Sequence, residues 1–245
     1  MNIELREKFL GAWIKYFKNA PLPVAYYYTD TVVGTPLPKT KGCFIEALSR
    51  AFEGEDLVLS RESIGCPGGI TYTGFGEMRM PNFNYFLSTG IEGKLRGERY
   101  KKTPEIVDEI MKTQQKFDAP GKLIIMKRWD KLTDADDPDV VVFFAKPDTL
   151  SGLFTLSGFD STAPSNISSP FSSGCASIFR FPMQEKLSGG KTCFLGMFDP
   201  SARPFVPADT LSFAVPFPRF EELAGYIEES FLITDDWEKV KDRMP

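Results

Sequence analysis

The chain is a succession of short segments whose apolar residues change period from one to the next. Over residues 3–18, Ile3, Phe9, Leu10, Trp13, Ile14 and Phe17 recur mostly at three- and four-residue spacing with Glu4, Arg6, Lys8 and Lys15 between them, which predicts an amphipathic opening helix. Asn19-Ala20-Pro21-Leu22-Pro23 ends it, and Val24 to Tyr28 follows as a strand of high β-propensity. After a Pro- and Gly-containing loop, Phe44, Ile45, Leu48, Ala51 and Phe52 line one side of a helix that begins at Cys43. Asp56 to Ser60 and Asn84 to Ser88 read as short strands. Thr103-Pro104-Glu105 opens a further helix, with Thr as N-cap, Pro at its first position and Ile106, Val107, Ile110 and Met111 on one face.

Lys122 to Met126 and Val140 to Ala145 are apolar strands, the second the most hydrophobic run of the chain and so expected at the centre of its sheet. Between them Asp134-Ala135-Asp136-Asp137 lacks the spacing of a calcium loop and reads as a solvated acidic turn. Asp148-Thr149 caps a short helix through Leu156, residues 161–173 read as loop, and a short helix from Ala176 is limited or kinked by Pro182. Gly189-Gly190 turns the chain into Thr192 to Gly196, Leu211 to Val215 is a further strand, and helices follow over 220–231 and 235–243. Helices thus alternate with strands and no polar linker divides the chain. The expectation is one compact α/β (α+β) domain of mixed sheet and helices spanning residues 1–245.

A weak internal repeat runs through this order, in pseudo-symmetric halves of about 20–120 and 138–235. Each half reads strand, loop, Gly-Cys, helix, glycine turn and a second cysteine, pairing Gly42-Cys43 with Gly174-Cys175 and Cys66 with Cys193. A strand and an amphipathic helix then follow, with Asn84–Ser88 matched to Leu211–Val215. If the halves pack about a twofold axis, the four cysteines converge on one pocket.

Composition narrows the chemistry. With 245 residues, 42% of them hydrophobic, the chain can bury a large core. A net charge of −4 with both signs interspersed offers no basic stripe for nucleic acid and no membrane anchor. The charged N-terminus does not resemble a signal peptide, so a cytoplasmic location is expected, where the four cysteines stay thiols. The absence of histidine removes the usual base, the Ser-His and Cys-His pairs and His-ligated metals. Thiolates, carboxylates, Lys, Tyr or a bound cofactor are left.

The densest candidate site is Gly65-Cys66-Pro67-Gly68-Gly69-Ile70-Thr71-Tyr72-Thr73-Gly74-Phe75-Gly76. Five glycines there predict a loop with positive φ, notably at Gly68, whose amides approach a ligand closely. Cys43 at a helix start is placed where amides and the helix dipole favour a thiolate. No cysteine lies in a C-x-x-C pair, so the local signature of zinc ribbons and ferredoxins is missing.

Several of these segments together resemble the domain-of-unknown-function family 169. They are Cys43 with Glu46-Ala47-Leu48 and Gly54-Glu55, Cys66-Pro67-Gly68-Gly69 with Gly74-Phe75, and the strand Asp139 to Phe144. Ser173-Gly174-Cys175-Ala176 and Cys193-Phe194-Leu195-Gly196 with Ser201-Ala202-Arg203 complete the set. Members often carry a doubled Arg in the last motif, where this chain has Arg203-Pro204. The resemblance marks these residues as a site without naming a reaction.

Three readings stand side by side. In the first, Cys43, Cys66, Cys175 and Cys193 are soft ligands of an iron–sulfur cluster or other metal. In the second, the protein binds a small anionic ligand or nucleotide-like cofactor without catalysis, using the amides around Gly68 and Gly69 with Arg79 or Arg203. In the third, Cys43 or Cys66 is a nucleophile of an enzyme, although nothing identifies its general base.

Overall fold

The computed structural model describes residues 1–77 and 80–244. In chain order the elements are α1 (Ile3–Phe17), β1 (Val24–Thr29), α2 (Phe44–Phe52), β2 (Leu57–Ser60), α3 (Pro67–Tyr72) and α4 (Phe83–Leu87). The hairpin β3 (Gly90–Ile91) and β4 (Leu95–Arg96) follows, then α5 (Pro104–Thr113), β5 (Leu123–Arg128), β6 (Val140–Ala145) and α6 (Pro147–Ser157). The last are β7 (Ile167–Ser168), α7 (Phe181–Ser188), β8 (Cys193–Gly196), β9 (Leu211–Pro216), α8 (Phe217–Tyr226) and α9 (Asp235–Asp242). No described helix is long and apolar enough to cross a membrane.

One seven-stranded mixed sheet organises the molecule in the order β2-β5-β1-β6-β9-β8-β7, with helices on both faces. The apolar run Val140 to Ala145 is its central strand. The seam between β1 and β6 is antiparallel, with Val24 opposite Val142, Ala25 opposite Val141 and Tyr26 opposite Val140. Outward from it the two sides mirror each other in order: β1, β5, β2 on one and β6, β9, β8 on the other, all antiparallel.

The register fixes which residues correspond. Leu57 faces Met126, which faces Tyr26; in the other half Phe194 faces Ala214, which faces Val142. Leu57 therefore corresponds to Phe194, and Cys193 to Asp56 rather than to Cys66. The strand matching Leu211–Pro216 is β5, not the segment around Asn84. That segment is helix α4, whose Phe83, Phe86 and Leu87 stand three and four residues apart and share one side, a helical period that overrides the β-propensity of Tyr85 and Phe86.

Side chains alternate across each strand, so the sheet has two cores. Val24, Tyr26, Val140, Val142, Phe194 and Ala214 pack under α2 and the helix over 174–188. Ala25, Val141, Phe143, Cys193, Phe213 and Val215 pack with residues of α1, α6, α8 and α9. The acidic turn also departs from expectation: Asp136 is 1% exposed and accepts hydrogen bonds from Tyr27, Lys127 and Thr133. Burial alone would raise its pKa, yet those donors hold it below the ordinary carboxylate value.

Candidate functional site

Three of the four cysteines reach one cavity because three helices begin beside it. Cys43 is the N-cap of α2 and Cys66 the N-cap of α3. The glycine-rich stretch is thus largely helical: Pro67 occupies the first position of α3, where its fixed φ suits a helix start and its missing N–H costs nothing. Gly68 has helical backbone and needs no positive φ. Gly69 is a packing residue, since a Cβ there would stand 2.7 Å from Ile64 Cγ2 and 3.1 Å from Phe44 Cβ.

Cys175 lies in the first turn of the helix over 174–188, which widens into a π-turn at Ala176–Arg180. Sequence and packing give this turn its cause. In an α-helix the Ile178 carbonyl would accept from residue 182, but Pro182 has no N–H and its ring crowds that carbonyl. The Tyr26 hydroxyl, rising from the sheet, donates to the Ile178 carbonyl instead at 2.9 Å. Gly174 allows the helix start to sit against β8 and the turn after it, where a Cβ would stand 2.6 Å from Met197 Sδ.

The cavity measures about 650 Å³ and its wall is mostly apolar. Cys43, Cys66 and Cys175 share it with Gly68, Gly69, Tyr72, Ser172, Ser173 and Asp199 on the side of the main sheet. Phe83, Phe86, Val107, Ile110 and Met111, from α4 and α5, contribute an apolar part of its wall. Lys101 also lines it, with Nζ 3.6 Å from the Phe171 ring centroid. A larger depression of about 890 Å³ along β3 and β4 is lined only by residues 89–99 of that hairpin and contains no cysteine, so it is not the candidate site.

Burial raises the pKa of Cys43, with the charges of Cys66 and Asp199 acting in the same direction; amides of Ile45 and Glu46 pull it down less. Burial lifts Cys175 well above the ordinary thiol value, and Cys43, Cys66 and Asp199 add to the shift. Both are thiols rather than thiolates at neutral pH. All four cysteines are free, and no group of three or more His, Cys, Asp or Glu among the described residues is placed to hold a single metal ion.

The remaining candidates are elsewhere. Cys193 faces the opposite core, because it precedes Phe194 on β8 and adjacent residues of a strand point to opposite faces. Burial pushes its thiol up to about 12. The Arg203 guanidinium donates to the carbonyls of Pro207, Ala208 and Thr210 and so ties down the loop before β9; it does not line the cavity. Arg79 lies outside the described residues.

Sequence reading missed Ser172 and Arg180, and it gave Tyr72 and Ser173 no role of their own although both lie in stretches it singled out. The hydroxyls of Ser172 and Ser173 and the Nε of Arg180 are buried without a hydrogen-bond partner of ordinary geometry among the described residues. Their only sequence signal was proximity to Cys66 and Cys175, and nothing in the spacing showed that the two segments meet.

Fold and site together define a sheet protein with helices on both faces and a cysteine-lined apolar cavity on one of them. The chain belongs to the family DUF169, described as uncharacterised ArCR, whose model matches residues 14–225. Comparison with curated proteins and with solved structures found no match.

Proposed function

We propose that the protein carries a sulfur-ligated cofactor, an iron–sulfur cluster, on Cys43, Cys66 and Cys175, and that the cavity beside it admits a small molecule. The supporting observation is the placement of three cysteines at three helix starts on one cavity wall. Cys175 stands close enough to the other two thiols for their charges to raise its proton affinity. Even so, the thiols are not gathered to grip one ion. Sulfurs bound to different irons of a cluster stand farther apart than those around a single zinc, so a cluster does not require such a grouping. Ligation would release the thiol protons, leaving one coordination position for Asp199 or for a ligand in the cavity. Such a centre fits a reducing, cytoplasmic setting.

The reading without a metal, a binding protein for a small anionic ligand, draws on the size and apolar wall of the same cavity. A cysteine nucleophile has the weakest support, because burial keeps the Cys43 and Cys175 thiols protonated and the chain has no histidine to serve as base.

The test is anaerobic reconstitution with ferrous iron and sulfide, followed by iron and sulfide analysis and the visible absorption spectrum. The wild type and Cys193→Ala should retain the cluster, whereas Cys43→Ser, Cys66→Ser and Cys175→Ser should each lose most of it. If the wild type binds no iron, or if Cys193→Ala loses as much as the other three, the proposal fails.

A further inference from the structure

Two arginines are buried to nearly the same extent and are satisfied very differently. Arg219, 3% exposed, donates to Asp160 and to Glu222. Arg180, 4% exposed, forms no ion pair with a carboxylate among the described residues. Among the described residues its guanidinium donates to the Gln115 carbonyl, and its Nε, like that of Arg219, has no partner. A buried cation without a counter-charge is costly to keep, so the site calls for an anion.

The surroundings of Arg180 point the same way. Among the described residues five buried side-chain polar atoms lack a hydrogen-bond partner of ordinary geometry, and three of them, Ser172 Oγ, Ser173 Oγ and Arg180 Nε, belong to groups around Tyr72, whose hydroxyl approaches both serines without closing such a bond. Buried polar atoms in folded proteins are almost always satisfied, so three unsatisfied ones in one place mark a missing partner. Tyr72, Ser172 and Ser173 line the cavity; Arg180 is not among its described lining residues but lies within electrostatic reach of Tyr72, as does Cys175.

We propose that Ser172 and Ser173 at the cavity wall, with Arg180 beyond it beside Tyr72, form an anion subsite, and that its ligand is a small organic monocarboxylate whose apolar body lies against α4 and α5. A planar carboxylate can accept from a guanidinium and from hydroxyls at once. Phe83, Phe86, Val107, Ile110 and Met111 provide an apolar wall that an inorganic anion would not use. Glu98 and Asp199 line the cavity against one lysine, Lys101, so its described charged residues are net acidic and disfavour a second negative charge, which separates a monocarboxylate from a phosphate or a dicarboxylate. The inference deepens the proposed cofactor site by naming what would occupy the cavity beside it.

The test uses acetate, hexanoate and 3-phenylpropionate, with 1-hexanol, 3-phenylpropan-1-ol and phosphate as controls, titrated calorimetrically into metal-free protein. Hexanoate or 3-phenylpropionate should bind about tenfold or more tightly than its alcohol, and phosphate should not compete. Ser172→Ala/Ser173→Ala should weaken carboxylate binding about tenfold and leave alcohol binding unchanged. Arg180→Gln should remove the preference; because that variant places a new group in the core, the serine pair decides the matter if it does not fold. Equal binding of acid and alcohol, competition by phosphate, or no effect of the serine pair would overturn the inference and assign the polar cluster to water. Carboxylate binding in a protein that holds no iron would sink only the cluster proposal. A cluster without carboxylate preference would sink only this one.

Discussion

The two faces of the central sheet are made by alternate residues of the same strands, yet they are packed to different ends. On the face covered by α1, α6, α8 and α9, Trp13 stacks on Phe17 with centroids 4.2 Å apart, and Trp129 and Phe220 close on Phe9 at 5.0 and 4.9 Å. Each of the three indoles there also has an acceptor: Trp13 donates to the Ala20 carbonyl, Trp129 to that of Arg6 and Trp237 to that of Tyr16. On the other face the helices part around a cavity lined by three thiols, and a buried arginine has no carboxylate partner among the described residues. Cysteine shows the contrast most directly. Cys193 on the aromatic face is fully buried as a small apolar residue, while Cys43 and Cys66 are only half-buried at the cavity wall. A protein stabilised by one face can leave the other incompletely satisfied, which is how binding sites are commonly accommodated.

The largest test of this division is Trp237→Ala. Trp237 is 3% exposed, packs edge-on to Phe17 at 5.3 Å and to Phe231 at 5.4 Å, and sits where a Cβ on Gly152 would stand only 2.5 Å from its ring. Truncating it should cost about 3–5 kcal/mol in urea unfolding. Below the transition, iron retention and carboxylate binding should match the wild type. Loss of either without unfolding would mean that the faces are coupled, contrary to the division drawn here.

Most of the secondary structure was legible in the sequence. The amphipathic period of residues 3–18 and the uniform apolarity of Val140 to Ala145 correspond to α1 and to the central strand. The site was legible in part: Cys43, Cys66 and Cys175 do share a cavity, but Cys193 does not. That difference is one of strand parity, which can be read only once the β8 register is known. The glycines of residues 65–76 suggested a loop, whereas Pro67 was the stronger local signal and starts a helix. Arg180 could not be found from spacing, since its isolation depends on which acids fold near it.

A middle-sized effect separates the two buried arginines. Hydrogen bonds from Arg219 hold Asp160 at about 2, against burial that alone would raise it. Because the folded value lies below the unfolded value of about 4, this interaction stabilises the fold above pH 4 and is lost as the pH falls toward 2. Asp160→Asn should cost about 1.5–3 kcal/mol near neutrality and flatten the acid limb of stability between about pH 4 and 2. Arg180 has no carboxylate to titrate, so Arg180→Gln should leave that limb unchanged. An unaltered acid limb in Asp160→Asn would show that this pair does not set the stability of its face.

The smallest effect reaches the cavity from the sheet. Tyr26→Phe removes the donor that serves the Ile178 carbonyl and should cost about 1 kcal/mol, the low end for a buried acceptor left unpaired. Pro182→Ala supplies the N–H that Ile178 lacks and removes the ring that crowds it, so the double variant should recover most of this loss through an ordinary i→i−4 bond. Recovery has a second consequence. Closing the π-turn at Ala176–Arg180 takes up one residue of the widened segment and rotates the helix start by about 100° relative to α7, carrying Cys175 off the cavity wall. Unfolding experiments on the two single variants and the double variant should therefore show a favourable coupling, while iron retention falls in the double variant to the level of Cys175→Ser. If the double variant regains both stability and iron, the π-turn is a packing accommodation and the aim of Cys175 is set elsewhere, by the contact of Gly174 with Met197.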